Sequence, residues 1–408
     1  MTVSLDWLAQ INVTINTSVV QVPTFNNCMI MGVFPIADIP TRWAGNIFYA
    51  YSNSADIITD FTPLYTAAIT ATQFAQAFKY QILMMAAQKF FAQQPTPQIL
   101  YVSCLDNTST INYVTAFATI TTATNNFYAF YIADQITATQ LITPITGIYA
   151  AIDSLTSAKN YKVMFVDTSD LTISSGHFLY DSTHDGGEQR AMLFAHTLNP
   201  QTAIPTAAVS APTVCLAASC MGAFFTNLFS NGIGLKVLSG QTLLSTASDQ
   251  IITQSILGTP GQGDGLLGVN ANVYPSFGTS TQGYMQYGFM SSSTISNLLY
   301  LDQIIGADYI KLHVQADLIT YLLSQQSTGG VPYSDVGIQN LVSVFKNTLQ
   351  GAVTQNIIQQ FTNGNINAVN YANTPIQDKT NRIYQGLSAN LTYLSRIQRL
   401  AVNITLGL

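Results

Sequence analysis

The stretch Tyr300–Val342, YLDQIIGADYIKLHVQADLITYLLSQQSTGGVPYSDVGIQNLV, carries the clearest pattern in the chain. Leu298, Leu301, Ile305, Tyr309, Leu312, Ala316, Ile319 and Leu323 recur every three or four residues. That spacing stacks them on one side of a helix, an apolar stripe of about seven turns. Gly329, Gly330 and Pro332 interrupt the pattern. Ser334 or Asp335 can then accept hydrogen bonds from the first free N–H groups of a second helix. This second helix is predicted to run to about residue 361, so the stretch reads as a helical hairpin.

Upstream of the hairpin, GTPGQGDGLLGVNANVYPSFGTSTQGY from Gly258 is rich in Gly, Pro, Ser and Thr, which marks a loop or a domain boundary. Before it, short apolar runs alternate with helical patterns. Met29–Phe34 (MIMGVF), Ile99–Cys104 (ILYVSC), Phe127–Ala133 and Lys162–Val166 (KVMFV) are predicted strands. Phe74–Phe91 is a predicted helix, with Phe74, Phe78, Ile82 and Met85 on one face and Pro95 and Pro97 beyond its end. Helices near 137–157, 186–197 and 213–229 and strands near 204–209 and Leu235–Leu238 continue the alternation. The fold class is therefore mixed α/β with a largely parallel or mixed sheet.

Both ends read as extended arms. Ile11, Val13 and Ile15 alternate with polar residues, and so do Leu400, Val402, Ile404 and Leu406 with Ala401, Asn403, Thr405 and Gly407. A period of two gives each arm one apolar face, and such a strand needs a sheet to join. The chain thus divides into an arm over 1–22, an α/β domain over 23–257, a C-terminal domain with the hairpin over 258–385, and a second arm over 386–408.

Composition narrows the functional classes. Of 408 residues, 48% are hydrophobic but only 8% are charged, against about 25% charged in an ordinary soluble domain. Thr, Asn, Gln, Ser and 21 each of Tyr and Phe take the place of charge. Low charge with many aromatics suits extensive protein–protein contact, and an adaptive or lineage bias in amino-acid usage accounts for it equally well. The net charge of −6 argues against a nucleic-acid binder, which meets phosphate with a basic face. The segment from 377 onward is locally basic, with Lys379, Arg382, Arg396 and Arg399 against Asp378. The apolar run Val214–Phe225 is too short to span a membrane, and MTVSLDWLAQ lacks the basic start of a signal peptide. Cys28, Cys104, Cys215 and Cys220 read as buried free thiols of a protein made in a reducing cytoplasm.

Candidate chemistry is sparse. The densest titratable group is His177, Asp181, His184, Asp185 and Glu188, whose spacing fits no metal motif and whose glycines fit a polar turn before a helix. GTPGQGDG lacks the lysine of a phosphate-binding loop. His313 and His196 sit where packing explains them. No catalytic residue, cofactor or metal is expected.

The hairpin stretch resembles the C-terminal hairpin of contractile-tail sheath proteins of bacteriophages. In that family an Asp-bearing helix precedes a short loop, a P-Y-[ST]-D-x-G-I segment and a second helix. Here the segment reads Pro332, Tyr333, Ser334, Asp335, Val336, Gly337, Ile338. Phe74–Tyr101 is similar to the family's early aromatic helix, proline turn and strand, and Ile11–Thr17 fits its opening. The scarcity of charge departs from the family. The resemblance implies an outer α/β domain and an inner domain whose small sheet is completed by the terminal arms of neighbouring subunits. It implies a non-enzymatic subunit, in the hairpin of which Tyr300, Asp302, Asp308, Asp317, Pro332, Tyr333, Asp335 and Gly337 are the residues of interest. The implied partners are other copies of the chain in a helical polymer of stacked hexameric rings, the tail tube protein, and baseplate and terminator proteins. Direct nucleic-acid contact and membrane insertion are not implied. The implied location is the phage tail of a virion, after synthesis in the host bacterial cytoplasm. The alternatives are a capsid or non-contractile tail component, and an enzyme built on the α/β domain that uses the His177–Glu188 region.

Overall fold

A computed structural model of the chain describes residues 24–134, 136, 140–141, 143–158, 160–168, 190–195, 215–226, 237–241, 271–274, 285 and 300–394. Ile11, Val13, Ile15, Leu400, Val402, Ile404 and Leu406 lie outside the described residues, as do the His177–Glu188 cluster and the strand expected near 204–209.

Among the described residues the larger sheet contains β1 (Cys28–Val33), β2 (Phe48–Tyr51), β3 (Leu100–Leu105), β4 (Ala129–Ala133), β5 (Val163–Thr168), β6 (Ala191–Ala195) and β7 (Ala271–Asn272). The order is β2-β3-β1-β4-β5-β6-β7. Every pairing is parallel except that of β2, an antiparallel edge strand on β3. β7 comes from residues past position 257. β1 is buried at every position, as a strand covered on both faces must be.

The period of two along the strands separates two cores. Cys28, Ile30, Val102, Tyr131 and Phe165 face α1 (Ser54–Thr70), α2 (Phe74–Phe91) and a helix at Leu216–Phe225. Met29, Met31, Phe130, Ile132 and Met164 face α3 (Tyr113–Ala123) and α4 (Ile148–Ser157). The result is three layers, helices on both sides of a twisted parallel sheet. α2 packs on α1, on the Leu216–Phe225 helix (α5) and on β1, so it is apolar nearly all round rather than on one stripe.

Three expectations need correction. Residues 191–195 lie in the segment expected as a helix, yet they form β6. AMLFA is too short an apolar run for its period to decide, and the place open between β5 and β7 decides it. Val237 and Leu238 are not strand; the Leu238 N–H instead donates to the Tyr274 hydroxyl at 3.0 Å. The second hairpin helix stops at Thr354 rather than near 361, because Asn356 turns left-handed at φ 59°.

The C-terminal third contains the hairpin, α6 (Leu301–Ser324) and α7 (Asp335–Thr354), a short α8 (Ile376–Asn381), and a small antiparallel sheet of β8 (Ile366–Ala368) and β9 (Leu387–Ala389). Leu301, Ile305 and Leu312 are buried as the stripe requires, whereas Leu323 near the tip is 46% exposed. Among the described residues no helix is long and apolar enough to cross a membrane.

Candidate functional site

The small sheet is where the sequence leaves most to be completed. β8 and β9 pair as Ile366↔Ala389, Asn367↔Ser388 and Ala368↔Leu387. The ladder extends through Asn390 N–H to Asn365 O at 2.8 Å and Val369 N–H to Gly386 O at 3.0 Å. Further along, Gln359 N–H donates to Thr392 O at 2.9 Å and Leu394 N–H to Ile357 O at 3.0 Å. All the bonds that residues 386–394 make in this ladder belong to even-numbered residues. Successive backbone groups of a strand point to opposite edges, so those of Leu387, Ala389 and Leu391 point away from β8. Among the described residues no strand lies on that edge. Ala389, Leu391 and Tyr393 pack on the core while Ser388, Asn390 and Thr392 are exposed. The site is thus a short ribbon with one apolar face and one open edge.

The hairpin positions this ribbon. Ser334 caps α7 by accepting the Gly337 N–H at 3.3 Å. Gly337 is required there, since a Cβ would stand 1.9 Å from the Pro332 carbonyl oxygen. Asp335 Oδ1 accepts the Tyr371 N–H at 2.6 Å, and the Tyr333 hydroxyl donates to Ile383 O at 2.9 Å. These two bonds fix both ends of the segment that connects β8 to β9. The Tyr384 hydroxyl adds a bond to Val369 O at 2.8 Å. The two helices are tied by the Thr348 hydroxyl, which donates to Asp317 Oδ2 at 2.6 Å. At the start of α6, Tyr300 N–H donates to Gln303 Oε1 at 3.1 Å, and Asp302 lies in the first turn. Gly306 lets Ile357 of the ribbon pack close against α6, where a Cβ would come within 2.7 Å of its side chain.

Asp308 has a different role from the rest of the hairpin set. Its carboxylate accepts both Arg190 guanidinium nitrogens, at 2.7 and 2.8 Å, and the Tyr128 hydroxyl at 2.6 Å. Burial opposes the charge on Arg190, but the Asp308 carboxylate more than offsets it and raises the guanidinium pKa. Tyr128 is pushed well above its ordinary value, first by burial and then by the negative charge of Asp308. Of the predicted residues, Tyr333 and Asp335 bond to the segment that connects β8 to β9, Gly337 packs on the Pro332 carbonyl, and Asp308 faces the larger sheet. Sequence reading missed Arg190 and Tyr128 because both are single residues just ahead of strands.

In doubly wound folds a ligand crevice opens at the carboxyl ends of the strands where the order reverses, here between β3 and β4 on either side of β1. Its polar groups are bonded to one another. Gln76 Nε2 donates to Val33 O at 3.2 Å, and Asn107 Nδ2 donates to Gln76 Oε1 at 2.8 Å. Lys79 pairs with Asp134 at 3.2 Å, and the Tyr80 hydroxyl donates to Asp38 at 2.5 Å. Among the described residues no group of three or more His, Cys, Asp or Glu side chains is arranged to hold a metal ion.

Solved structures share this arrangement nearly end to end. The anti-feeding prophage helical sheath in its contracted state matches over 98% of this chain and 98% of its own, with a TM-score of 0.54 at 12% identity. The chain has the fold of a contractile sheath subunit. A chain in the structure of the anti-feeding prophage baseplate matches over 96% of this chain and 94% of its own, with a TM-score of 0.56 at 12% identity. The sheath tail protein from Listeria innocua matches over 62% of this chain and 52% of its own, with a TM-score of 0.38 at 10% identity. No protein-family model and no curated protein matches the sequence. The mixed α/β architecture, with a mostly parallel sheet and a small antiparallel one, is thus the sheath fold expected from the hairpin.

Proposed function

We propose that the chain is the sheath subunit of a contractile bacteriophage tail, which polymerises helically around the tail tube and contracts to drive the tube through the host envelope for DNA delivery. The observation that carries this reading is the open edge at Leu387, Ala389 and Leu391, beside a ribbon too small to be stable by itself. Residues 386–394 already pair within the chain, so the strands offered to a neighbour are those read at Ile11–Ile15 and Leu400–Leu406. A neighbour's arm added to this edge would satisfy main-chain hydrogen bonds with little demand on sequence.

In this reading the large sheet with its helices, including β7 from beyond residue 257, forms the outer domain, and the hairpin with the ribbon, including β9 from beyond residue 385, forms the inner one, nearer the tube. The partners are further copies of the chain, in stacked hexameric rings, together with the tail tube, baseplate and terminator proteins. The protein resides in the phage tail after synthesis in the host cytoplasm. Free energy is stored in the assembled extended form, so contraction requires neither nucleotide nor cofactor. Arms that flex at their roots let subunits rotate and slide as rigid bodies while the mesh stays connected.

Negative-stain electron microscopy of the purified chain and of truncations lacking residues 1–18 or 398–408 tests this. Hollow helical tubes from the full chain, alone or co-expressed with its tube protein, and folded but unpolymerised truncations are expected. Normal tubes from both truncations would overturn strand exchange.

A further inference from the structure

Four residues, each at or just before the start of a parallel strand, reach the same stretch of α6. Phe25 precedes β1, Tyr128 precedes β4, Tyr161 precedes β5 and Arg190 precedes β6. Phe25 packs on Tyr309 and His313, with ring centroids 5.7 and 6.1 Å apart. Lys311 Nζ donates to the Tyr161 hydroxyl at 2.5 Å, and the Arg190 guanidinium lies 4.7 Å over the same ring. At the centre, Asp308 is only 3% exposed and holds Arg190 through two bonds and Tyr128 through a third. The hairpin therefore crosses the amino ends of the strands, the rim opposite the crevice described above.

Among the described residues α6 packs broadly only on α7 and the turn at its own end, and it reaches the large sheet through side chains, with Leu301, Ile305 and Leu312 joining the core on that sheet. Apolar packing is non-directional and leaves sliding of the helix open. A bidentate guanidinium–carboxylate pair resists this, since its two parallel bonds fix orientation as well as distance. Any tilt or slide of α6 would separate a buried charge from its partner, and that separation is strongly unfavourable.

We propose that Arg190, Asp308 and Tyr128 form a clamp that locks the hairpin and its ribbon to the rim of the large sheet, so that displacement at the ribbon moves the large sheet with it. Asp308, Arg190 and Tyr128 are positioning residues, and their effect is on geometry between the two blocks. The use of the clamp in contraction rests on the sheath reading; the clamp itself does not, because it lies within one chain.

The test is made on the unassembled full-length chain, so it stands apart from any failure to polymerise. Spin labels go on cysteines introduced at Thr119 of α3 and Gln350 of α7, both exposed. The four native cysteines are buried and leave the labelling unambiguous. The variant carries Arg190→Met together with Asp308→Leu, which removes both charges and leaves neither stranded. The expected result is retained helix content with a label-to-label distance distribution about twofold wider than in the parent. An unchanged width would overturn the clamp. Hydrogen exchange on the parent chain is the second measurement, independent of whether the variant folds. Residues 304–316 of α6 should become exchangeable only in the same opening as β4. Earlier, separate opening of that stretch would also overturn it.

Discussion

Lys162 gives the sharpest quantitative test of the core. Its side chain is 0% exposed at the start of β5. The ammonium donates to the Phe127 carbonyl and stands 4.3 Å over the Phe127 ring. Burial lowers its pKa from the ordinary 10.5 to about 7. Below about pH 7 the folded and unfolded chains both carry the proton. Between that value and 10.5 the unfolded chain binds it and the folded chain sheds it. Stability therefore rises with pH across this window, by at most about 1.4 kcal/mol per pH unit. Buried thiols act in the opposite sense at the upper end. Burial raises Cys28, Cys104 and Cys215 above the ordinary 9.0, so ionisation of the unfolded chain costs stability there. The clean range is from about pH 7 to pH 8.5, over which Lys162 supplies an increase of about 2 kcal/mol at most. Lys162→Met keeps the length of the side chain and removes the proton. Urea unfolding of both proteins across this range should show stability rising with pH in the parent and a slope near zero in the variant. Equal slopes in the two proteins would refute the assignment of this dependence to Lys162.

Other substitutions address the hairpin and the ribbon. Gly337→Ala should destabilise the fold by more than about 2 kcal/mol, since the new methyl meets the Pro332 carbonyl; thermal unfolding reads this directly. Ser334→Ala removes the α7 cap and should cost about 1 kcal/mol by the same assay. Ala389→Pro and Ser388→Pro are expected to differ in kind. The first blocks a backbone N–H aimed at the open edge, and should leave a folded chain that forms no tubes by electron microscopy. The second breaks the ladder to β8 and should lower the unfolding temperature. Equal effects of the two would argue against the open edge as the assembly surface.

Long, strongly periodic segments were legible because their pattern depends on local geometry alone. Phe74–Phe91 is a helix over the residues expected, and α6 follows its stripe from Leu301. The hairpin break at Gly329–Pro332 follows from backbone chemistry, with Gly329 and Gly330 both left-handed at φ 93° and 85°. Helices α1 and α3 escaped because threonines blur their periods. Thr62 and Thr66 of α1 and Thr119 and Thr122 of α3 donate their hydroxyls to carbonyls four residues back, a local bond that keeps them helical without an apolar pattern. The partners of Tyr333 and Asp335, Ile383 and Tyr371, lie far along the chain and no local pattern points to them.

What the sequence determined by itself was the alternation of elements, the hairpin and the scarcity of charge. These rest on short-range periodicity and composition. What only the tertiary structure decided was which side of a strand remains open and what each polar residue meets. The choice of β rather than α for residues 191–195 depends on the neighbours β5 and β7. The bond between Arg190 and Asp308 joins residues 118 positions apart. No local pattern encodes such a pairing, because it exists only once the strands have brought their amino ends to one rim and α6 has crossed it.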